Sequence, residues 1–205
     1  PAVRYTGRTL VSPDGSVAFD WVGTYLETRF TGGKLSVKVS ETGTSYYNVF
    51  VDGKLHKVVK VCGTDTLIHL VSGIDKRIHS LKIQKRSEGE FGKTTVHQFV
   101  LSGSGRLAEE PAVRTRHIEF IGNSLTCGYG TDGKHRDEPF LVETENCNLT
   151  FASMVARYYD ADYTLIAHSG RGAARNYGDS VRVSKVTMKA VSYTHLRAHE
   201  TDQYL

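Results

Sequence analysis

The decisive stretch of this sequence reads Ile118-Glu119-Phe120-Ile121-Gly122-Asn123-Ser124-Leu125-Thr126-Cys127-Gly128-Tyr129-Gly130. It begins with a short apolar run that Gly122 ends, which is typical of a buried strand leading into a loop. A serine directly after such a strand lies at the carboxyl edge of the sheet, where open α/β folds place their ligands. Ser124 is therefore a candidate nucleophile. That role requires a base to take its proton and hydrogen-bond donors to hold the oxyanion that its attack creates.

A helix and a second strand follow, in the order expected of a parallel crossover unit. The helix is predicted from apolar residues at the i, i+3, i+4 and i+7 positions of one face: Phe151, Met154, Val155 and Tyr158. Asn148 is placed to cap this helix, and residues 163–167 form the second apolar strand. The turn Ser169-Gly170-Arg171-Gly172 comes next and can bring a backbone donor beside Ser124. This half of the chain is predicted to be α/β with a parallel sheet.

The first half, residues 1 to about 104, has the pattern of short strands and glycine-rich turns. Two hairpins are predicted, one at Gly32-Gly33 and one at Asp52-Gly53, where Asp-Gly supplies the positive φ angles of a tight turn. Further strands are predicted at residues 66–71, 78–85 and 94–101. Because helical periodicity is lacking, the pattern indicates an antiparallel β-sandwich or jelly roll.

The chain is therefore predicted to contain a β-sandwich domain at residues 1–112, followed by the first part of an α/β domain at residues 113–191. The polar segment at 102–116 is interpreted as the connection between them. It carries Ser-Gly-Ser-Gly and then Glu109-Glu110-Pro111, a composition typical of interdomain linkers.

The last residues, 192–205, resemble translated sequencing-adapter read-through rather than protein. We therefore expect the natural sequence to be interrupted near Ala190 or Val191. For that reason His195 and His199 are assigned neither a catalytic nor a metal-binding role, although they form a His-x-x-x-His pair.

Composition excludes several classes of protein. The 205 residues are 39% hydrophobic and 23% charged, which is an ordinary globular mixture rather than a disordered or fibrous one. No apolar stretch approaches the roughly 18 residues of a membrane helix. The basic residues behind the net charge of +4 are scattered, so neither nucleic acid nor membrane is expected as a partner. Cys62, Cys127 and Cys147 show neither a disulfide framework nor metal-ligand spacing.

The segment Gly122-Asn123-Ser124-Leu125 resembles the nucleophile block of the GDSL or SGNH hydrolases. The longer run Gly-Asn-Ser-Leu-Thr-Cys-Gly-Tyr-Gly resembles the form found in carbohydrate esterase family 2. The turn Ser169-Gly170-Arg171-Gly172 with Asn176-Tyr177 is similar to that family's second block. The resemblance covers residues 1 to about 190. It implies an N-terminal jelly roll followed by an incomplete SGNH-type α/β/α domain.

The resemblance also implies a serine esterase that needs no metal or organic cofactor. It makes Ser124 the nucleophile, with its own N–H and the N–H of Gly172 as oxyanion donors. The residues that support the two motifs are Gly122, Asn123, Ser169, Gly170 and Asn176. Asn123 stands where the family's short name has Asp, at a mainly structural position. The family's G-x-N-D block and its D-x-x-H block, which supplies the base, do not occur in this sequence. The chain by itself is therefore expected to be a poor enzyme.

The reaction that the resemblance implies is removal of acetyl groups from plant polysaccharides such as xylan or mannan, or from their oligosaccharides. A secreted or periplasmic location goes with such a substrate. Two alternatives stay open. The first is a carbohydrate-binding protein in which the jelly roll binds and the hydrolase domain has decayed. The second is a GDSL lipase or thioesterase.

Other residues near the motifs have structural interpretations. Cys127 is interpreted as a small packing residue, His168 as a structural histidine at a strand end, and Trp21 as packing in the sandwich core or between the domains. Glu143 and Glu145 form no evident acid/base pair, so the sequence does not indicate glycosidase chemistry with two carboxylates.

Overall fold

The computed structural model describes residues 2–109 and 111–196, with an all-β first half and an α/β second half. The strands are β1 (Val3–Thr6), β2 (Leu10–Val11), β3 (Val17–Phe19), β4 (Tyr25–Val51), β5 (Lys54–Lys85), β6 (Thr94–Ser102), β7 (Arg106–Ala108), β8 (His117–Gly122) and β9 (Asp162–Ala167). The α-helices are α1 (Ser124–Cys127), α2 (Phe151–Tyr158) and α3 (Met188–Leu196). Short 3-10 turns lie at Gly89–Phe91, Val142–Thr144 and Cys147–Leu149. The predicted fold class is confirmed.

Strands β1–β7 form one curled antiparallel sheet. Its order is β1-β4-β6-β3-β2, and β5 and β7 also pair with β4. Strands β4 and β5 have 27 and 32 residues, which is long enough to bend around the core. The last part of β4, around Asn48, pairs with the start of β5 on one side and with its end on the other. This curling produces the predicted jelly-roll sandwich.

The hairpin predicted at Asp52-Gly53 is confirmed. Strand β4 ends at Val51 and β5 begins at Lys54, so these two residues form the whole turn. Both have positive φ angles, 49° at Asp52 and 76° at Gly53, as a tight primed turn requires.

The hairpin predicted at Gly32-Gly33 is wrong, because these glycines form a bulge inside β4. The strand continues past them and still pairs with β5, with Leu35 opposite Val71. Gly33 has a φ of 87°, and a Cβ there would lie 2.4 Å from the carbonyl oxygen of Ser102. Because Gly33 has no side chain, β4 can bend close to the end of β6 at this point and continue, instead of reversing its direction.

The core of the sandwich consists of aliphatic and aromatic side chains that alternate with outward-facing residues along the strands. Members that are at most 1% exposed include Leu26, Phe30, Leu35, Val49, Leu70 and Leu81. Full burial of each such side chain contributes roughly 1.5–3 kcal/mol. The first half therefore has a hydrophobic core of its own.

Strands β8 and β9 are parallel neighbours, with His117 opposite Asp162 and Gly122 opposite Ala167. Every residue of β9 is buried. Both strands end at the same edge of their sheet, so the residues that follow each strand lie side by side. The predicted strand-helix-strand unit is thus confirmed. None of the helices in the described ranges is long and apolar enough to cross a membrane.

Helix α2 forms where it was predicted but buries a different face. The buried residues are the small ones: Ala152, Ser153 and Ala156. The large residues of the predicted face are exposed by 54%, 49%, 37% and 84%: Phe151, Met154, Val155 and Tyr158. Small side chains let the helix axis approach β9 closely, which explains why they form the contact face.

The predicted cap of α2 is also wrong. The residue before the helix is Thr150, because Asn148 lies inside a 3-10 turn at Cys147–Leu149 that precedes it. The side chain of Asn148 instead accepts a hydrogen bond from Arg157 Nη1 at 2.9 Å. It therefore connects the turn to the last part of the helix.

The segment at 102–116 is only partly a connection, because it contains a strand that the sequence did not predict. Strand β7 pairs with β4, with Leu107 opposite Phe30, and Leu107 packs against the sandwich core. The first part of the segment therefore belongs to the sandwich, and the residues after β7 lead to β8.

The two halves of the chain pack directly against each other. Trp21 is 7% exposed and clusters with Ile166 and Met188 of the second half. The rings of Tyr25 and Tyr163 lie 5.2 Å apart across the same boundary. Trp21 is thus an interdomain packing residue, which was one of the two structural roles expected for it.

The buried His79 gives the sandwich a testable pH dependence. Its ring is 4% exposed, and Nδ1 and Nε2 lie 2.7 Å and 3.0 Å from carboxylate oxygens of Asp52 and Asp75. The hydrogen bond to Asp52, ahead of the other causes, raises the pKa of His79 above its ordinary 6.5. A raised pKa in the folded state means that the charged form stabilises the protein below the unfolded pKa. That contribution is lost as pH rises through the raised folded pKa.

We therefore expect the melting temperature to fall between about pH 6 and about pH 8 more steeply in the wild-type chain than in His79→Gln. The control is His56→Gln, since His56 lies exposed on the same strand and its replacement should leave the wild-type slope unchanged. Identical slopes for His79→Gln and the wild-type chain would contradict the assignment.

Candidate active site

Ser124 lies on a tight turn directly after β8, as the sequence predicts. Asn123 precedes helix α1, and its Oδ1 accepts the N–H of Leu125 at 3.2 Å. The turn ends at Gly128, whose φ of 84° lets its N–H donate to the carbonyl oxygen of Ser124 at 3.0 Å. Asn123 thus has the structural role that the motif implies, and Ser124 is fixed at the carboxyl edge of the sheet.

Two glycines of the motif are required by close approaches. A Cβ on Gly122 would lie 2.0 Å from Oγ1 of Thr126, and a Cβ on Gly128 would lie 2.5 Å from the carbonyl oxygen of Asn146. Gly128 also needs its positive φ. The glycines therefore permit the compact turn that holds Ser124.

The two sequence motifs line a single open cleft of about 640 Å³. Ser124 and Asn123 contribute to it from the first motif. The second motif contributes Ser169, Gly170 and Gly172. The remaining walls include residues that were not predicted as site residues: Glu90, Tyr129, Arg171, Arg175 and Tyr177. Five of the seven predicted site residues, from both motifs, therefore line one cleft at the edge where β8 and β9 end, whereas Gly122 and Asn176 do not line it.

The loop that carries Gly172 is held by hydrogen bonds. The N–H of Gly172 donates to Oδ1 of Asn176 at 3.2 Å, and its carbonyl oxygen accepts from the N–H of Met188 at 2.9 Å. Nδ2 of Asn176 donates to the carbonyl oxygen of Val186 at 2.9 Å. Asn176 thus orders the loop, and a substrate oxyanion would share or replace Asn176 as the acceptor for Gly172.

Ser124 has no hydrogen-bonded base among the residues whose side chains the structure describes. Its Oγ makes no hydrogen bond to any residue in the ranges 2–109 and 111–192. His168 lies at the end of β9 with Nδ1 2.9 Å from the carbonyl oxygen of Ser169. Its two ring nitrogens are 3.9 Å from Glu88 and 3.7 Å from Glu90. His168 thus takes part in loop contacts, in keeping with its structural interpretation.

A buried carboxyl pair below the cleft escaped the sequence analysis. Glu88 is 1% exposed and Glu145 is fully buried. Oε2 of Glu88 accepts the N–H of Ser169 at 2.7 Å, and Oε2 of Glu145 accepts the N–H of Glu88 at 2.8 Å. Burial and the charge of Glu88 raise the pKa of Glu145 to about 9. No local pattern marks these residues, because 57 positions separate them.

Cys127 is a packing residue, as expected. It is fully buried, and this burial raises the pKa of its thiol far above the ordinary value. The thiol contacts Oε2 of Glu88 at 3.5 Å. It is therefore protonated and unreactive at neutral pH.

Aromatic side chains form one side of the cleft. The Tyr129 ring stacks on Phe140, with centroids 3.7 Å apart and an interplanar angle of 11°, and Phe91 of the first half lies 5.7 Å from Phe140. Tyr177 is 93% exposed. The cleft therefore combines aromatic surface with the polar groups of Glu90 and Arg171.

Comparison with known proteins finds relatives that match most of the chain. Residues 5–111 match the family model described as Carbohydrate esterase 2 N-terminal. The chain is 34% identical over 178 residues to the Cellulase/esterase CelE of Acetivibrio thermocellus, covering 87% of this chain and 22% of that protein. It is 32% identical over 177 residues to an acetylxylan esterase/glucomannan deacetylase of Cellvibrio japonicus, covering 83% of this chain and 48% of that protein.

A solved structure shares the same fold. It is a family two carbohydrate esterase from Clostridium thermocellum in complex with cellohexaose, with a TM-score of 0.83 and 34% identity. The match covers 87% of this chain and 55% of that one. The chain thus spans about half of the length of these relatives, or less in the case of CelE.

Proposed function

The chain belongs to carbohydrate esterase family 2, and from this premise we propose that it is part of a serine-dependent esterase that removes acetyl groups from plant polysaccharides. The observation that carries the proposal is the shared cleft. Ser124 and the Gly172 loop, which are distant in sequence, line it together at the carboxyl edge of two parallel strands. That is the arrangement that nucleophilic attack on an ester carbonyl requires.

In the proposed reaction, Oγ of Ser124 attacks the acetyl carbonyl carbon and passes its proton to a base. The new Oγ–C bond leaves the carbonyl electrons on an oxyanion, which the N–H groups of Ser124 and Gly172 hold. The oxyanion then collapses, the ester C–O bond breaks, and the base gives its proton to the departing sugar oxygen, which becomes a hydroxyl. Water attacks the acetyl-enzyme in the same way, which releases acetate and restores Ser124.

We propose that the base is a histidine in a segment outside the described residues. Two observations support this. Oγ of Ser124 has no histidine partner in the ranges 2–109 and 111–192, and in the part of the chain that the structure describes β8 pairs only with β9. At the open edge of β8, Ile121 is 60% exposed, and the nearby Leu125 is 76% exposed. A further part of the α/β domain would cover these apolar side chains and bring the histidine to the cleft.

The proposed substrates are acetylated xylan, acetylated mannan and their oligosaccharides. The names of the relatives support this class, since they include an acetylxylan esterase/glucomannan deacetylase and an esterase solved with cellohexaose. Aromatic and charged side chains together, as in this cleft, suit a sugar chain better than a fatty acyl chain. Because such polymers are extracellular, we propose a secreted or periplasmic location.

The test of this function is acetate release from acetylated xylan and from acetylated mannan, compared with hydrolysis of short-chain and long-chain 4-nitrophenyl esters. We expect acetyl esters to be preferred, whereas faster hydrolysis of long-chain esters would favour the lipase or thioesterase alternative. Saturable binding of residues 1–112 to acetylated polysaccharide, without turnover by a chain that includes the base, would favour the carbohydrate-binding alternative.

A further inference from the structure

We propose that Glu88, a residue of the first half of the chain, is a positioning residue for the active-site loop of the second half. With Glu145 it forms a buried carboxyl pair that shares one proton and anchors the loop at Ser169. The importance of that loop for catalysis rests on the proposed function. The anchoring itself rests only on the contacts described below.

Glu88 follows β5 and precedes the 3-10 turn at Gly89–Phe91, so it belongs to the sandwich. Its carboxylate nevertheless reaches both catalytic motifs. Oε2 accepts the N–H of Ser169, at the start of the Gly172 loop, at 2.7 Å. The same oxygen lies 3.5 Å from Sγ of Cys127, on the helix that begins at Ser124. A single buried oxygen thus connects the sandwich to both motifs of the cleft.

The two carboxyl groups cannot both be ionised at low cost. Glu88 is 1% exposed and Glu145 is fully buried, and Oε1 of each is buried with no hydrogen-bond partner. Two negative charges in such surroundings repel each other and are poorly solvated. One proton on the pair removes one of these two charges.

The proton belongs on Glu145, because burial and the neighbouring Glu88 raise its pKa to about 9. With that proton on Glu145, Oε2 of Glu88 accepts the N–H of Ser169 at 2.7 Å. The charged and titratable groups around the pair are Lys85, Arg86, Glu90, Cys127, Cys147 and His168.

A bound cation is the other arrangement that three such groups allow. Ligand atoms of Glu88, Glu145 and Cys127 lie within 4.8 Å of one another. A metal would require Cys127 as a thiolate, whereas burial and the two carboxyl groups raise the pKa of this thiol. A thiol that keeps its proton instead donates to Glu88, so the geometry favours a shared proton over a metal.

The test follows backbone amide hydrogen exchange by NMR in the 205-residue chain, with Val49 in the sandwich core as the internal reference. Glu88→Met keeps the length of the side chain but removes the acceptor. We expect it to accelerate exchange at Ser169 at least about tenfold relative to Val49. Glu88→Gln keeps an acceptor oxygen and should retain most of the protection. Unchanged exchange at Ser169, or equal acceleration at Val49, would overturn the proposal.

A second variant keeps the proposal testable if Glu88→Met does not fold. A folded pKa near 9 lies above the ordinary 4.5 of an unfolded glutamate, so the folded chain should lose stability steadily as pH rises between these two values. Glu145→Gln mimics the protonated form. We expect this substitution to make stability less dependent on pH in this range. The difference corresponds to one proton, which is about a tenfold change in the unfolding equilibrium constant per pH unit.

An unchanged pH slope in Glu145→Gln would overturn the shared proton. So would a rise in melting temperature with added Zn²⁺ that Cys127→Ala abolishes, because it would identify a metal site. None of these measurements uses a substrate. If Ser124→Ala leaves ester hydrolysis intact, the proposed function fails and the anchoring stands. If Glu88→Met leaves exchange at Ser169 unchanged, the anchoring fails and the function stands.

Discussion

Ser124→Ala is expected to lower kcat/KM for acetylated xylan oligosaccharides by about four orders of magnitude or more in a protein that contains the catalytic base. Alanine removes the oxygen that would form the acetyl-enzyme bond, while the Gly172 loop and the cleft walls stay in place. The rate that remains would come from binding and the oxyanion donors. The measurement is acetate release, with and without the substitution, by a protein that includes both this chain and the base.

A matched control separates loss of the nucleophile from loss of the fold. Ser104 is exposed in the turn between β6 and β7, so Ser104→Ala should keep full activity. Both variants should melt at the wild-type temperature, since the side chain of Ser124 makes no hydrogen bond to the described residues. Retained activity in Ser124→Ala would show that this serine is not the nucleophile.

The 205-residue chain without extension is expected to hydrolyse 4-nitrophenyl acetate only weakly, because its described residues give Ser124 no base. Fast hydrolysis that Ser124→Ala abolishes would contradict this. It would mean that a residue already present takes the proton of Ser124. His168, next to the Gly172 loop, would then be the first residue to replace.

The sequence predicted features that depend on neighbouring residues in the chain. The Asp52-Gly53 turn needs two consecutive positive φ angles, and the turn at Ser124 needs a glycine where a strand ends; both patterns are local. The signal at Gly32-Gly33 was ambiguous because a positive φ suits a bulge as well as a hairpin. Only the pairing of Leu35 with Val71 shows that β4 continues.

Features that depend on distant residues could not be predicted in this way. The buried face of α2 is determined by how closely the helix approaches β9. Small residues such as Ala152 therefore form this face, and the larger apolar residues are exposed. The contact between Glu88 and Ser169 joins positions that are 81 residues apart. No periodicity or motif records such a pairing, although it connects the sandwich to the candidate active site.

A charge network fixes the orientation of the two halves. Asp162, at the start of β9, is 4% exposed. It accepts hydrogen bonds from Arg4 of β1 at 2.8 Å, from Tyr25 of β4 at 2.6 Å and from Arg114 of the connection at 2.7 Å. Both arginines also pair with Glu27 of β4. Asp162 is therefore the residue of the second half on which three contacts from the rest of the chain converge.

Asp162→Asn is expected to lower the free energy of unfolding by about 3–5 kcal/mol. The amide has nearly the same shape, but it brings a donor toward two arginines and removes one of the two buried carboxylates that pair with them. Burial alone would raise the pKa of Asp162, but the hydrogen bonds from Tyr25, Arg114 and Arg4 lower it below its ordinary 3.8. The stabilisation is thus present above that value and is lost as pH falls through the lowered folded pKa.

Asp160→Asn provides the matched control. Asp160 also pairs with Arg114, at 3.3 Å, but its side chain is 92% exposed, and an exposed pair contributes at most about 1 kcal/mol. In urea unfolding at neutral pH, Asp162→Asn should therefore lower the free energy of unfolding several times more than Asp160→Asn does. At a pH well below the ordinary pKa of Asp162, the wild-type chain should lose most of its advantage over Asp162→Asn. Equal effects of the two substitutions at neutral pH would mean that the buried network does not stabilise the contact between the halves, and that packing around Trp21 and Ile166 holds them together instead.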